Sequence, residues 1–102
     1  MRGKYDFEDK EELYHWADYV LDQLNWLIIE EIDELDFSQC DISPLQLGKV
    51  LSLLGYEENN WEYDKEYSWA EYVDPINPTI RIGLSADSDL FKLTLYLIKD
   101  EE

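Results

Sequence analysis

One cysteine and one histidine stand in a chain of 102 residues, with 4 glycines, 3 prolines and only 8 lysines and arginines. Each shortage excludes something. A lone Cys40 forms no internal disulfide, which fits a reducing cytoplasm. A Ser–His–acid or Cys–His catalytic arrangement has only His15 to draw on. His15 sits among carboxylates, and Ser38-Gln39-Cys40-Asp41 matches no catalytic cysteine motif. The scattered glycines spell neither a dinucleotide fingerprint nor a phosphate-binding loop. The expectation is a protein that is not an enzyme and takes no cofactor. Soft metal ligands are missing. The acids at Asp33–Asp41 and Asp87–Asp89 lack the order and central glycine of an EF-hand, so no metal site is expected either. Few bases argue against a direct grip on nucleic acid, whose phosphates call for clustered Lys and Arg. No apolar run approaches the roughly 18 residues of a membrane span. The opening Met1-Arg2-Gly3-Lys4-Tyr5-Asp6 turns acidic without an apolar signal core, so cytoplasmic residence is expected.

What the chain has is acid on a foldable background. Asp and Glu number 25, giving a formal net charge of −17, while 45% of residues are hydrophobic and 15% aromatic. A disordered acidic tail lacks that apolar content, so a single folded domain over 1–102 is expected. The charge is uneven: from Glu11 to Gly48 there is no Lys or Arg. A net charge of magnitude about 2–8 keeps a small domain soluble. The surplus is read either as the mark of an acidic proteome or as a negative field made to meet a positive partner.

The N-terminal third carries apolar residues at helical spacing: Leu13, Ala17, Val20, Leu21, Leu24, Leu27, Ile28, Ile32 and Leu35. This predicts one long helix from Phe7 or Glu8 to Leu35, with Asp6 as N-cap. Glu30, Glu31, Asp33 and Glu34 then crowd the negative end of its dipole, a local inconsistency that points to function. The opposite face carries Glu8, Glu11, His15, Asp18 and Asp22 in one stripe. Trp26-Leu27-Ile28-Ile29 is apolar on all sides, so cover on two sides is expected there. Ser43-Pro44-Leu45-Gln46 has the marks of a capped start for a second, shorter helix that Gly55 closes.

The period then changes to two. Trp61, Tyr63, Tyr67, Trp69 and Val73 share one parity, and Glu62, Asp64, Glu66 and Ser68 the other, with Asp64-Lys65-Glu66 a possible turn. Ile80, Ile82 and Leu84 mark a following strand. Phe91, Leu93, Leu95 and Leu97 mark another, the two forming a hairpin. The fold class expected is α+β: two N-terminal helices, long then short, packed on a C-terminal antiparallel meander of three or four strands.

In size and acidity the chain resembles the inhibitors that phages direct against host nucleic-acid enzymes, DNA-mimic anti-restriction and anti-CRISPR proteins among them. It also resembles the acidic immunity proteins that cap nuclease toxins. No motif of one named family is present, so no residue role is carried over. The leading expectation is an inhibitor that occludes the basic nucleic-acid surface of a DNA- or RNA-handling protein, in the host cytoplasm if phage-encoded. Alternatives are an immunity protein against a nuclease-type toxin and a small adaptor that dimerises through Trp26–Ile29. The residues expected to meet the partner are Glu8, Glu11, Asp18 and Asp22 on the helix. From the strand region come Trp61, Glu62, Asp64, Glu66, Tyr67 and Glu71, because exposed Tyr and Trp beside carboxylates suit an Arg-rich surface.

Overall fold

A computed structural model describes residues 10–64 and 66–98, apart from the side chain of Tyr63. The elements follow in the order α1 (Lys10–Ile29), β1 (Glu34–Asp36), α2 (Pro44–Leu53), β2 (Glu57–Tyr63), β3 (Tyr67–Val73), β4 (Arg81–Asp87) and β5 (Lys92–Ile98). The α+β order of a long helix, a short helix and an antiparallel sheet is as expected. The sheet has five strands in the order β1-β5-β4-β3-β2, every neighbouring pair antiparallel.

The additional strand comes from what the sequence marks as helix. α1 stops at Ile29 rather than Leu35; Glu30 still donates its amide to the Trp26 carbonyl at 2.9 Å, and Glu31 then turns left-handed at φ 52°. Four carboxylates at the negative end of a helix dipole repel the carbonyls there, so release of that segment removes the inconsistency seen in the sequence. Glu34–Asp36 instead pairs with β5, bringing Leu35 opposite Leu95. Phe37 extends the pairing by donating to the Leu93 carbonyl at 2.7 Å, and Ser38 Oγ accepts the Leu93 amide at 3.0 Å. The Asp6 cap and Glu8 lie outside the described residues.

α2 follows its local signals. The Ser43 side chain accepts the Gln46 amide, the Gln46 side chain accepts the Ser43 amide, and Pro44 begins the helix. Gly55, at φ 96°, turns the chain out of it. Beyond lies the second departure. Glu57–Asn60 belongs to β2 instead of preceding the strand, and the chain reverses between Tyr63 and Tyr67, where a turn within the patterned run was expected, to make a hairpin. Asp64 donates its amide to the Tyr67 carbonyl at 2.7 Å to close that turn. A register shift between Glu58 and Asn60 places Glu58 opposite Tyr72 and Trp61 opposite Ala70, so Glu58 and Trp61 share a face with the even positions of β3. Tyr72 and Ala70 therefore point to the helices, while Trp69 points the other way.

The core lies between the helices and one sheet face. Val20, Leu24 and Leu27 of α1, with Leu47, Val50 and Leu51 of α2, are fully buried, as are Ile82 and Leu95 opposite them. Gly48 lets α2 approach closely; a Cβ there would lie 2.7 Å from the Tyr72 hydroxyl. Among the described residues the other sheet face has no helix on it, and its own side chains pack across it. Tyr96 lies over Gly83 and its hydroxyl accepts the Trp69 indole N–H. Glu71 is buried there between Arg81, 3.1 Å away, and the Asn59 amide at 2.7 Å.

Two substitutions test these helix ends. Glu31→Gly should raise stability by about 0.5–1 kcal/mol, since it relieves a left-handed non-glycine residue and removes a carboxylate from the helix terminus. Ser43→Ala should lower it by about 1 kcal/mol through loss of the cap. Urea denaturation midpoints of the two variants, shifted in opposite directions, are the readout.

Candidate partner interface

Two surfaces carry the expected contact residues. The first is the outer face of α1. Glu11, His15, Asp18 and Asp22 are all exposed, opposite the buried Ala17, Val20, Leu24 and Leu27. Among the described residues no Lys or Arg pairs with Glu11, Asp18 or Asp22. At about 1.5 Å rise per residue, Asp18 and Asp22 stand roughly 6 Å apart along the axis, with Glu11 roughly 10 Å before them. The stripe runs on into Trp26 and Ile29, which are 58% and 73% exposed. Cover on both sides of this segment was expected; among the described residues Leu27 is buried in the core and Ile28 is half-buried, while Trp26 and Ile29 remain open.

The second surface is a groove of about 930 Å³. α2, at 10 residues and about 15 Å, is shorter than the seven-residue strands it covers, about 23 Å, and the groove lies over their uncovered length toward the Tyr63 and Asp87 ends. The floor there is made of small side chains, Ser68, Ala70 and Ala86. Leu45 of α2 forms one wall and Trp61 the other, with Phe91 at the end; these are 52%, 62% and 84% exposed. Phe91 was expected in the core with Leu93. It sits instead in the turn after β4 at φ 51°, while Leu93 and Leu95 are buried. Glu58, Glu62, Asp64, Glu66 and Asp87 surround the groove, with Lys49 and Lys92 the bases among its described lining.

The groove thus gathers Trp61, Glu62, Asp64, Glu66 and Tyr67, which the sequence nominates on composition alone. Glu11, Asp18 and Asp22 form their own surface on α1, and Glu71 is held under Arg81 and Asn59 on the helix-free face. The residues that sequence reading missed are Leu45, Ala70, Ala86 and Phe91. Leu45 reads as helix core from its spacing, and small strand residues carry no signal until the neighbouring helix is seen to stop short.

Among the described residues no group of three or more His, Cys, Asp or Glu side chains is placed to hold a metal ion. Nor is any helix there long and apolar enough to cross a membrane. The titratable groups displaced most from their ordinary range are tyrosines. Burial, with the Glu58 carboxylate at 3.1 Å, pushes the Tyr72 hydroxyl well up. Burial, with the Asp74 carboxylate, pushes Tyr56 up to about 12. Burial also raises the Cys40 thiol. Each shift favours the protonated hydroxyl or thiol.

Comparison with protein-family models, with curated proteins and with solved structures found no match.

Tyr56 holds its proton more tightly in the folded chain than in the unfolded one, whose tyrosines titrate near pH 10. The stability this contributes is complete below pH 10 and is lost as pH rises toward about 12. Urea midpoints should therefore fall steadily above pH 10, and Tyr56→Phe should flatten that fall. An unchanged slope in the variant would remove Tyr56 from the account.

Proposed function

We propose that this protein is a non-enzymatic inhibitor that binds the basic nucleic-acid surface of a DNA- or RNA-handling protein in the cytoplasm and excludes the nucleic acid by charge. The observation that carries the reading is the outer face of α1: a rigid row of exposed carboxylates with no described basic partner, on a chain of net charge −17. Within a chain such a row is unfavourable. Two carboxylates roughly 6 Å apart repel by about 0.7 kcal/mol in water before salt screening, and the α1 row has neither described counter-ions nor burial to offset it. Against a groove lined with Lys and Arg the same row is favourable. Duplex DNA likewise offers regularly spaced negative charge, so a recess shaped for phosphates suits it. Encounter would be steered by the field and weakened by salt over a screening length of about 8–10 Å.

The test is capture from a host lysate at low salt, elution with a salt gradient, and competition of the captured protein with duplex DNA. The expected partner is a basic nucleic-acid-binding protein that releases this chain when DNA is added. Glu11→Lys, Asp18→Lys and Asp22→Lys together should weaken capture by roughly tenfold or more, a loss of about 1.4 kcal/mol. Binding equally tight in molar salt would overturn the reading.

A second reading is supported by Trp26 and Ile29, neighbours on one helix face and both more than half exposed. Two copies meeting there would form a dimer held by apolar contact. Sedimentation at low and high salt decides it: this reading expects a dimer indifferent to salt that Trp26→Glu dissociates.

A further inference from the structure

The groove over the uncovered length of the strands is a different kind of surface from the α1 row. It has a floor of small apolar residues, large exposed apolar walls and a rim of one dominant charge. We propose that it docks a peptide segment of the partner that carries Arg or Lys beside a large aliphatic side chain. This rests on the reading of the protein as a binder of a basic protein surface, and it names the part of that surface which would be seated here.

Charge complementarity fixes the occupant. Glu58, Asp64 and Glu66 line the groove with Lys49, while Glu62, Asp87 and Lys92 belong by register to the face of Trp69 and Tyr67 and reach only its rim; the balance is negative in both places, so an acidic segment is repelled and a basic one attracted. Some of these carboxylates already accept hydrogen bonds. Glu58 takes the Tyr72 hydroxyl at 3.1 Å, and Asp87 takes the amides of Asp89 and Leu90 at 3.0 and 3.2 Å. An ionised carboxylate has about four acceptor positions, so each retains room for a cation.

A purely ionic strip would need no recess. Here Ala70 and Ala86 leave space between Leu45 and Trp61 for an aliphatic side chain. Trp61 is 62% exposed on the edge strand, so its ring has a free surface for a guanidinium or a methylene stem. A large exposed tryptophan beside a desolvating pocket is the setting in which single residues dominate binding energy.

Synthetic fluorescein-labelled peptides test this with the full chain. One alternates Arg and Leu, one Arg and Ser, and one Glu and Leu; affinities are read by anisotropy in about 150 mM NaCl, where the screening length is about 8 Å. The Arg–Leu peptide should bind roughly tenfold or more tighter than the Arg–Ser peptide, and the Glu–Leu peptide should not bind. Trp61→Ala should erase the preference for Leu, and Phe91→Ser, at an exposed turn, should reduce it independently. Glu62→Lys with Glu66→Lys should weaken both cationic peptides. Equal affinity for the Arg–Leu and Arg–Ser peptides would overturn the groove as a docking site. So would a preference for Leu that survives both Trp61→Ala and Phe91→Ser. If the α1 triple reversal then abolished binding of both peptides, the charge reading would stand without the groove. If neither cationic peptide bound even in low salt, the charge reading itself would fall.

Discussion

The apolar closure of α1 and α2 on the sheet is the interaction on which everything else in this protein depends, because it acts against a chain that repels itself. Fully burying a leucine-sized side chain contributes about 1.5–3 kcal/mol. Val20, Leu24, Leu27, Leu47, Val50, Leu51, Ile82 and Leu95 are all fully buried in one cluster. Buried polar groups add specificity to this closure without breaking it. Gln46 is spent on the α2 cap, and Glu71 has Arg81 and Asn59. Among the described residues no buried side-chain nitrogen or oxygen lacks a hydrogen-bond partner. Glu71 is the one buried acid among the described residues, and the others lie where mutual repulsion is weakened by water and salt.

The same constraint explains the least expected element. A helix continued through Glu30, Glu31, Asp33 and Glu34 would place four carboxylates against its own unpaired carbonyls. Left-handed Glu31 ends it instead, and the released chain crosses to β5, where Leu35 and Phe37 are buried. The charge pattern that looks like a functional signal in the sequence has, in this segment, a structural consequence: it converts the end of a helix into an edge strand. The acidic stripe of Glu11, Asp18 and Asp22 has no such consequence, which is why it and not the 30–34 cluster supports a functional reading.

Legibility in the sequence followed the range of the interactions involved. Ser43, Pro44 and Gln46 act within four residues of one another, so the start of α2 is readable directly. The β4–β5 hairpin is readable because each strand alternates and the turn between them is local. The outer stripe of α1 is readable from helical period alone. By contrast, the parity of Trp61 depends on where the chain reverses, and Asp64 to Glu66 leaves that open until the Trp61–Ala70 pairing is known. The groove is less legible still. It exists because α2, which begins at Pro44, covers less than the full length of the strands beneath it, and no residue in its floor announces that in the sequence.

Two surfaces of different character follow from one composition. On α1 the carboxylates stand on a rigid, exposed helix face, an arrangement that acts at a distance and mainly sets the rate of encounter. Around the groove they surround an apolar recess, an arrangement that acts on contact and mainly sets how long a complex lasts. On the proposed reading the two divide the work: the row brings a basic partner in, and the groove holds a segment of it. The division has a physical signature. Salt screens the row over a Debye length but leaves the desolvated contact around Trp61 and Ala86 largely intact. Association rate should then collapse with added salt well before dissociation rate rises. A protein using charge alone would show both moving together, so the salt dependence of the two rates separates a charged surface that merely attracts from one that also grips.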